Sequence, residues 1–240
     1  MPLPKIATPT YELVLPSTGK TIKYRPFLVK EEKILILALE SEDPKQITNA
    51  LKTTLKSCIS TRGIKVEELP TFDIEYIFLN IRGKSVGESI EVLVTCPDDG
   101  ETQVERKIFI DEIQVEKDEK HSPDIKLDHS LTLRMKYPSL SEFVKNNFNV
   151  SDDTNTLQAS MDIIASCIDV VYSEDESWAA ADCTKKELSE WLETLNTSQF
   201  KEVETFFETM PKLTHKVMVT NPNTKVESEV VMEGLTSFFG

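Results

Sequence analysis

Glycine is scarce in this 240-residue chain, with seven in all, and histidine is scarcer still, with three. Few glycines leave little material for the strained loops that bring a backbone against a phosphate. Neither a Walker-type phosphate loop nor a G-x-G-x-x-G turn occurs, and Ser17-Thr18-Gly19-Lys20 makes a turn only. The histidines, His121, His129 and His215, never fall at the spacing that sets two imidazoles on one helical face. His121 and His129 sit in polar loop sequence, where solvent exposure is the expectation. No G-x-S-x-G elbow is present to bare a serine nucleophile. The four cysteines, Cys58, Cys96, Cys167 and Cys183, are far apart and form no C-x-x-C pair, which argues against a disulfide framework. Cys58 and Cys167 fall on apolar faces of predicted helices and read as small buried hydrophobes. Cys96-Pro97-Asp98-Asp99-Gly100 has the form of a zinc-knuckle turn without its partner ligands, and one cysteine does not hold a tetrahedral ion. No metal and no cofactor is therefore expected.

Long apolar runs are missing too. The longest, residues 34–39, is far below the roughly 20 residues that span a bilayer. The start Met1-Pro2-Leu3-Pro4-Lys5 lacks the apolar stretch of a signal peptide, so the chain is expected to stay in the cytoplasm of the cell that makes it.

Acid is what the chain has in excess, with a net charge of −14. It is unevenly spread. Residues 1–60 carry nine Lys/Arg against six Asp/Glu, whereas residues 151–210 carry three against fourteen. Such a balance repels nucleic-acid phosphates and suits either a solvated face or a surface that docks a basic partner. Paired carboxylates such as Glu31-Glu32, Asp98-Asp99 and Asp152-Asp153 look exposed, and acid–base chemistry needs environments that separate their pKa values.

Periodicity organises the chain. Short alternating runs around Ser17-Thr18-Gly19-Lys20 predict a hairpin ended by Pro26. A helix from about Val29 to Glu40 is apolar on most sides and is expected to be central. Asp43-Pro44 opens a second, with Asp at the N-cap and Pro at the first helical position. A third runs from about Phe72 to Arg82, closed by Gly83 and Gly87. Alternation at residues 90–94 and 104–110 around Pro97-Asp98-Asp99-Gly100 predicts another hairpin, and residues 116–121 read as a charged linker. Short strands fit residues 125–127 and 131–137. Beyond them come the capping boxes Ser139-Leu140-Ser141-Glu142 and Thr184-Lys185-Lys186-Glu187. Helical stripes follow at Leu157, Met161, Ile164, Ala165 and Ile168, and at Phe200, Val203, Phe207 and Met210, the last halted by Pro211. The end returns to strands on either side of Asn221-Pro222-Asn223-Thr224. Residues 92–98 (VLVTCPD) echo residues 217–223 (VMVTNPN), as two related hairpins would on either side of an insertion.

The fold class expected is α+β: small antiparallel hairpins or a sheet with packed helices and an acidic helical segment. Three parts are expected. Residues 1–137 form an N-terminal α+β region, 138–212 the acidic helices, and 213–240 a hairpin and tail that packs back on the first region.

The stretch Tyr11 to Lys33, the run Phe72 to Arg82 followed by Ser85-Val86-Gly87-Glu88, and the closing Glu233-Gly234-Leu235-Thr236-Ser237-Phe238-Phe239 resemble baseplate hub proteins of T4-type contractile-tailed phages. Relatives in that family often carry cysteine pairs in their hairpin turns; here Cys96 stands alone and Asn221 takes the matching place. The resemblance implies a non-enzymatic structural or assembly protein of the tail baseplate hub, bound to other hub or tail proteins. It implies no partnership with nucleic acid or membrane. Assembly is expected in the host cytoplasm and the final location in the virion tail. Leu235, Phe238 and Phe239 are candidate contacts, because aromatic residues at a chain end rarely stay exposed without a reason. The alternative is that the tail tucks onto its own core. A tail-associated cell-wall hydrolase is the competing function, and it requires a cleft with two carboxylates, one of them in an apolar pocket.

Overall fold

The computed structural model describes residues 6–41, 43–140, 156–234 and 236–239. The chain is α+β. Strands β1 (Tyr11–Val14) and β2 (Thr21–Tyr24) form the first hairpin, in the register Tyr11 opposite Tyr24. Helices α1 (Val29–Glu40), α2 (Pro44–Cys58) and α3 (Thr71–Val86) follow. Asp43 caps α2 by accepting the Lys45 N–H at 2.9 Å. Helix α3 runs four residues past the end expected from its glycines. Gly83 lies inside it and serves a different purpose: a Cβ there would stand 2.7 Å from Ile110 Cδ1. Gly87, with φ at 152°, ends the helix.

Hairpin β3–β4 (Ser89–Thr95, Gln103–Phe109) comes next, then the short strand β5 (Gln114–Glu116). Hairpin β10–β11 (Lys212–Thr220, Glu227–Glu233) pairs with β5 through β10, in the order β11-β10-β5. Lys212 lies opposite Glu116, so residues 117–211 leave and rejoin the base at neighbouring strands. One core gathers Ile22, Leu55, Ile74, Ile77, Leu79, Ile81, Ile108, Leu213 and Val219.

Residues 117–211 hold a second core. Strands β6 (Asp124–Lys126), β7 (Thr132–Met135), β8 (Ile168–Tyr172) and β9 (Ser177–Ala179) form an antiparallel sheet in sequential order. Against it pack α4 (Thr156–Ser166), α5 (Lys185–Leu192) and α6 (Thr197–Thr209), with Leu133, Ile168, Leu192, Val203 and Phe206 buried between them. The acidic segment is thus partly strand, whereas the expectation was helix throughout. Ile168 leaves the stripe of α4 because Ile168-Asp169-Val170-Val171-Tyr172, rich in β-branched and aromatic residues, joins β7 instead. Strands β6 and β7, expected with the first region, share this sheet and this core. The capping box at Thr184 is formed: the Glu187 carboxylate accepts the Thr184 N–H at 2.7 Å, and Thr184 Oγ1 accepts the Glu187 N–H at 3.2 Å. The box at residues 139–142 and the helix expected after it lie outside the described residues.

The echoing hairpins meet at their tips without sharing a sheet. Their turns are built alike. The Gly100 N–H donates to the Cys96 carbonyl at 2.9 Å and the Lys225 N–H to the Asn221 carbonyl at 2.9 Å, with left-handed φ of 69° and 65° at the two donors. The Asn221 side chain is fully buried. Its amide donates to Asp98 at 3.1 Å and to Asp99 at 2.8 Å, while its Oδ1 accepts the Asn223 N–H at 2.9 Å. The Thr224 hydroxyl donates to Asp98, and Arg106 Nε donates to the Met218 carbonyl at 3.2 Å. Hydrogen bonds from an amide therefore hold together turns that the sequence shows without a ligand set.

Helix α7 (Thr236–Phe239) closes the described chain against β11 and β3. Phe238 is 2% exposed and part of the first core.

Candidate interaction surface

Helix α1 reads as KILILALE from Lys33 to Glu40, enough apolar side chain to be buried all round. It is not central. Only Glu31, Leu35 and Ala38 turn inward, toward α2 and the core. Val29 is 80% exposed, Leu37 54% and Ile36 49%, with Ile34 and Leu39 exposed beside them. Exposed aliphatic side chains clustered on one helix exceed the scatter of single apolar residues on an ordinary surface.

A buried ion pair fixes this helix to the body. Arg25, at the end of β2, donates to Glu31 at 2.8 Å, and Glu31 also accepts the Leu28 N–H at 2.9 Å and the Ser57 hydroxyl at 3.1 Å. Burial alone would raise the Glu31 carboxyl; these donors reverse that and hold it at about 2. Leu28 has no side-chain acceptor to cap the helix, so Glu31 supplies the one reaching bond there. The exposed row therefore stands on an anchored support.

A second feature lies where the two cores meet. His121 Nδ1 is 3.0 Å from Thr209 Oγ1 and its Nε2 is 2.9 Å from the Tyr137 hydroxyl. Its ring stacks on Tyr137, which meets Phe72 of α3 edge-on at 5.0 Å and lies 5.7 Å from Phe206. His121 is thus a packing residue of the junction and not the solvated loop histidine its neighbours in sequence suggest. Burial lowers its pKa, and Asp118 opposes that only in part. His129 is exposed.

A cleft of about 500 Å³ beside this junction is lined by Glu67, Glu68, Leu69, Pro70, Met135 and Tyr137. Glu67 pairs with Lys52 at 2.6 Å and Lys56 at 2.7 Å, which hold its carboxyl down at about 2. A hydrolytic general acid needs the opposite shift. Asp73, a buried carboxyl raised by desolvation, accepts the Ser17 N–H at 3.0 Å and the Ser17 hydroxyl, and so fastens the first hairpin to α3. The hydrolase alternative finds no support in these groups. Among the described residues no three His, Cys, Asp or Glu side chains come together as a metal site would need. No helix among them is long and apolar enough to cross a membrane.

The model of a family described as T4 bacteriophage base plate protein matches residues 8–240. The chain belongs to that family. No curated protein and no solved structure matched it. As a baseplate protein it belongs among the structural proteins of a phage tail. In this baseplate protein the three tail residues singled out from the sequence have different standing. Phe238 is buried in the base; Leu235 and the side chain of Phe239 lie outside the described residues. The exposed row on α1 was missed as a surface because it was read as core. The charges at Lys30, Glu32 and Lys33 do not by themselves mark it as outward-facing, since the enclosed α3 carries Asp73 and Glu75.

Proposed function

We propose that this baseplate protein serves the central hub, as a component or as an assembly factor formed in the host cytoplasm, and acts through protein–protein contact without catalysis. Other hub or tail subunits are its partners in this reading. The observation that carries it is the anchored helix α1 with Val29, Ile34, Ile36, Leu37 and Leu39 in solvent. Burying such a row on a neighbouring subunit contributes roughly 25 cal/mol for each Å² of apolar surface removed from water. Phe238 is buried in the first core and holds the chain end there.

The test is mass spectrometry of purified tails assembled with wild-type chain or with Leu37→Asp. The wild-type chain is expected at fixed stoichiometry, and the variant is expected to keep its melting temperature but drop out of tails. Normal incorporation of Leu37→Asp would remove α1 as the docking surface. Absence of the wild-type chain from finished tails that require it for assembly would select the assembly-factor form of the proposal.

A further inference from the structure

We infer that α1 is a self-association helix, which pairs antiparallel with α1 of a second copy of this chain about a two-fold axis between Ile36 and Leu37. The inference rests on the reading of α1 as a docking surface and names its occupant. An isologous contact requires a surface complementary to itself, so that residue i meets j while j meets i. About the midpoint of positions 36 and 37 the sequence mirrors Ile36 with Leu37, Ile34 with Leu39 and Lys33 with Glu40; across the antiparallel pair Ile36 packs on Ile36 and Leu37 on Leu37 of the other copy, and Lys33 meets Glu40 at either end. Lys33-Ile34-Leu35-Ile36-Leu37-Ala38-Leu39-Glu40 is thus a palindrome in hydrophobicity and an anti-palindrome in charge.

The orientation agrees. At 100° per residue, the midpoint of Ile36 and Leu37 lies opposite the buried line Glu31, Leu35 and Ala38, and Lys33 and Glu40 fall on the same outward side. Both charges are exposed, and among the described residues neither makes an ion pair. Glu40 also ends a helix whose last turn has no basic residue, an arrangement the helix dipole disfavours. Lysine from an antiparallel copy would offset it. A twelve-residue helix covers less than the roughly 800 Å² per partner of a standard interface, so the contact is a weak, reversible one that a crowded assembly would populate.

Sedimentation equilibrium of the full chain tests this, with a charge-reversal cycle. Wild type is expected to show a concentration-dependent monomer–dimer equilibrium. Lys33→Glu and Glu40→Lys should each weaken it about tenfold, since symmetry places two like-charge clashes in each dimer. The double variant Lys33→Glu/Glu40→Lys should restore it. Each variant is checked by its circular dichroism and melting temperature, which an exposed substitution leaves unchanged. A wild-type chain that stays monomeric at the highest soluble concentration overturns the inference, as does a double variant as weak as the singles. If Leu37→Asp drops out of tails while wild type is monomeric, the docking surface stands and its occupant is another tail protein, so the two failures are told apart.

Discussion

Helices α1 and α3 have similar apolar content and opposite fates. In α3, Phe72, Ile74, Ile77, Leu79 and Ile81 are all within 2% of full burial, and even Asp73 and Glu75 lie inside. In α1, only Glu31 and Ala38 are buried. The difference is in what surrounds each helix. Helix α3 has α2, β10 and β5 around it, and the turn at Ile110 presses on Gly83. Helix α1 packs mainly on α2 and faces water elsewhere. Apolar composition thus tells how much surface a helix can bury; the neighbours available decide how much it does bury. The remainder is surface left for another molecule.

The largest effects should come from the buried side of this contrast. Ile77→Ala in α3 is expected to cost about 2–5 kcal/mol, and Phe238→Ala about 3–5 kcal/mol, measured by urea unfolding. If Phe238→Ala proves neutral, the tail is not anchored in the base. Next comes the anchor of α1. Glu31→Ala leaves Arg25 without its partner and should cost about 3 kcal/mol. Because the folded Glu31 carboxyl is depressed to about 2 from an ordinary 4.5, its contribution is complete above pH 4.5 and is lost as pH falls toward 2. The variant should lack that part of the wild-type acid dependence.

Asn221→Ala removes the donor shared by Asp98 and Asp99 and should cost about 1–3 kcal/mol, with the hairpin tips becoming more open to proteases. A variant as protease-resistant as wild type would mean that the tips hold without the amide. At the junction, the His121 pKa is lowered on folding, so the unfolded chain takes up the proton first. Stability should be complete above the ordinary value of 6.5 and fall as pH drops below it; His121→Phe should flatten that step in a thermal scan against pH. The smallest effect closes the comparison: Leu37→Ser should change stability by no more than about 0.5 kcal/mol. A loss there as large as that of Ile77→Ala would show α1 to be covered.

Legibility followed the range of the forces involved. The bounds of α1, the Asp43-Pro44 start of α2, the Thr184 capping box and both echoing hairpins were readable, because each depends on residues a few positions apart. Strand β8 was read as helix because it begins two residues after α4 and carries too few residues to show its own period. The candidate surface was legible in its residues but not in its direction.

By itself, then, the sequence determined most of the local elements and the uneven charge, since these are matters of spacing and side-chain type. Tertiary structure alone decided that α1 faces outward while α3 is enclosed, that β6 and β7 serve the inserted core, that His121 packs at the junction, and that Asn221 joins the two turns. Each of these depends on contacts between residues far apart in the chain, and a hydrophobic or polar side chain is indifferent to which partner satisfies it until the whole chain has folded.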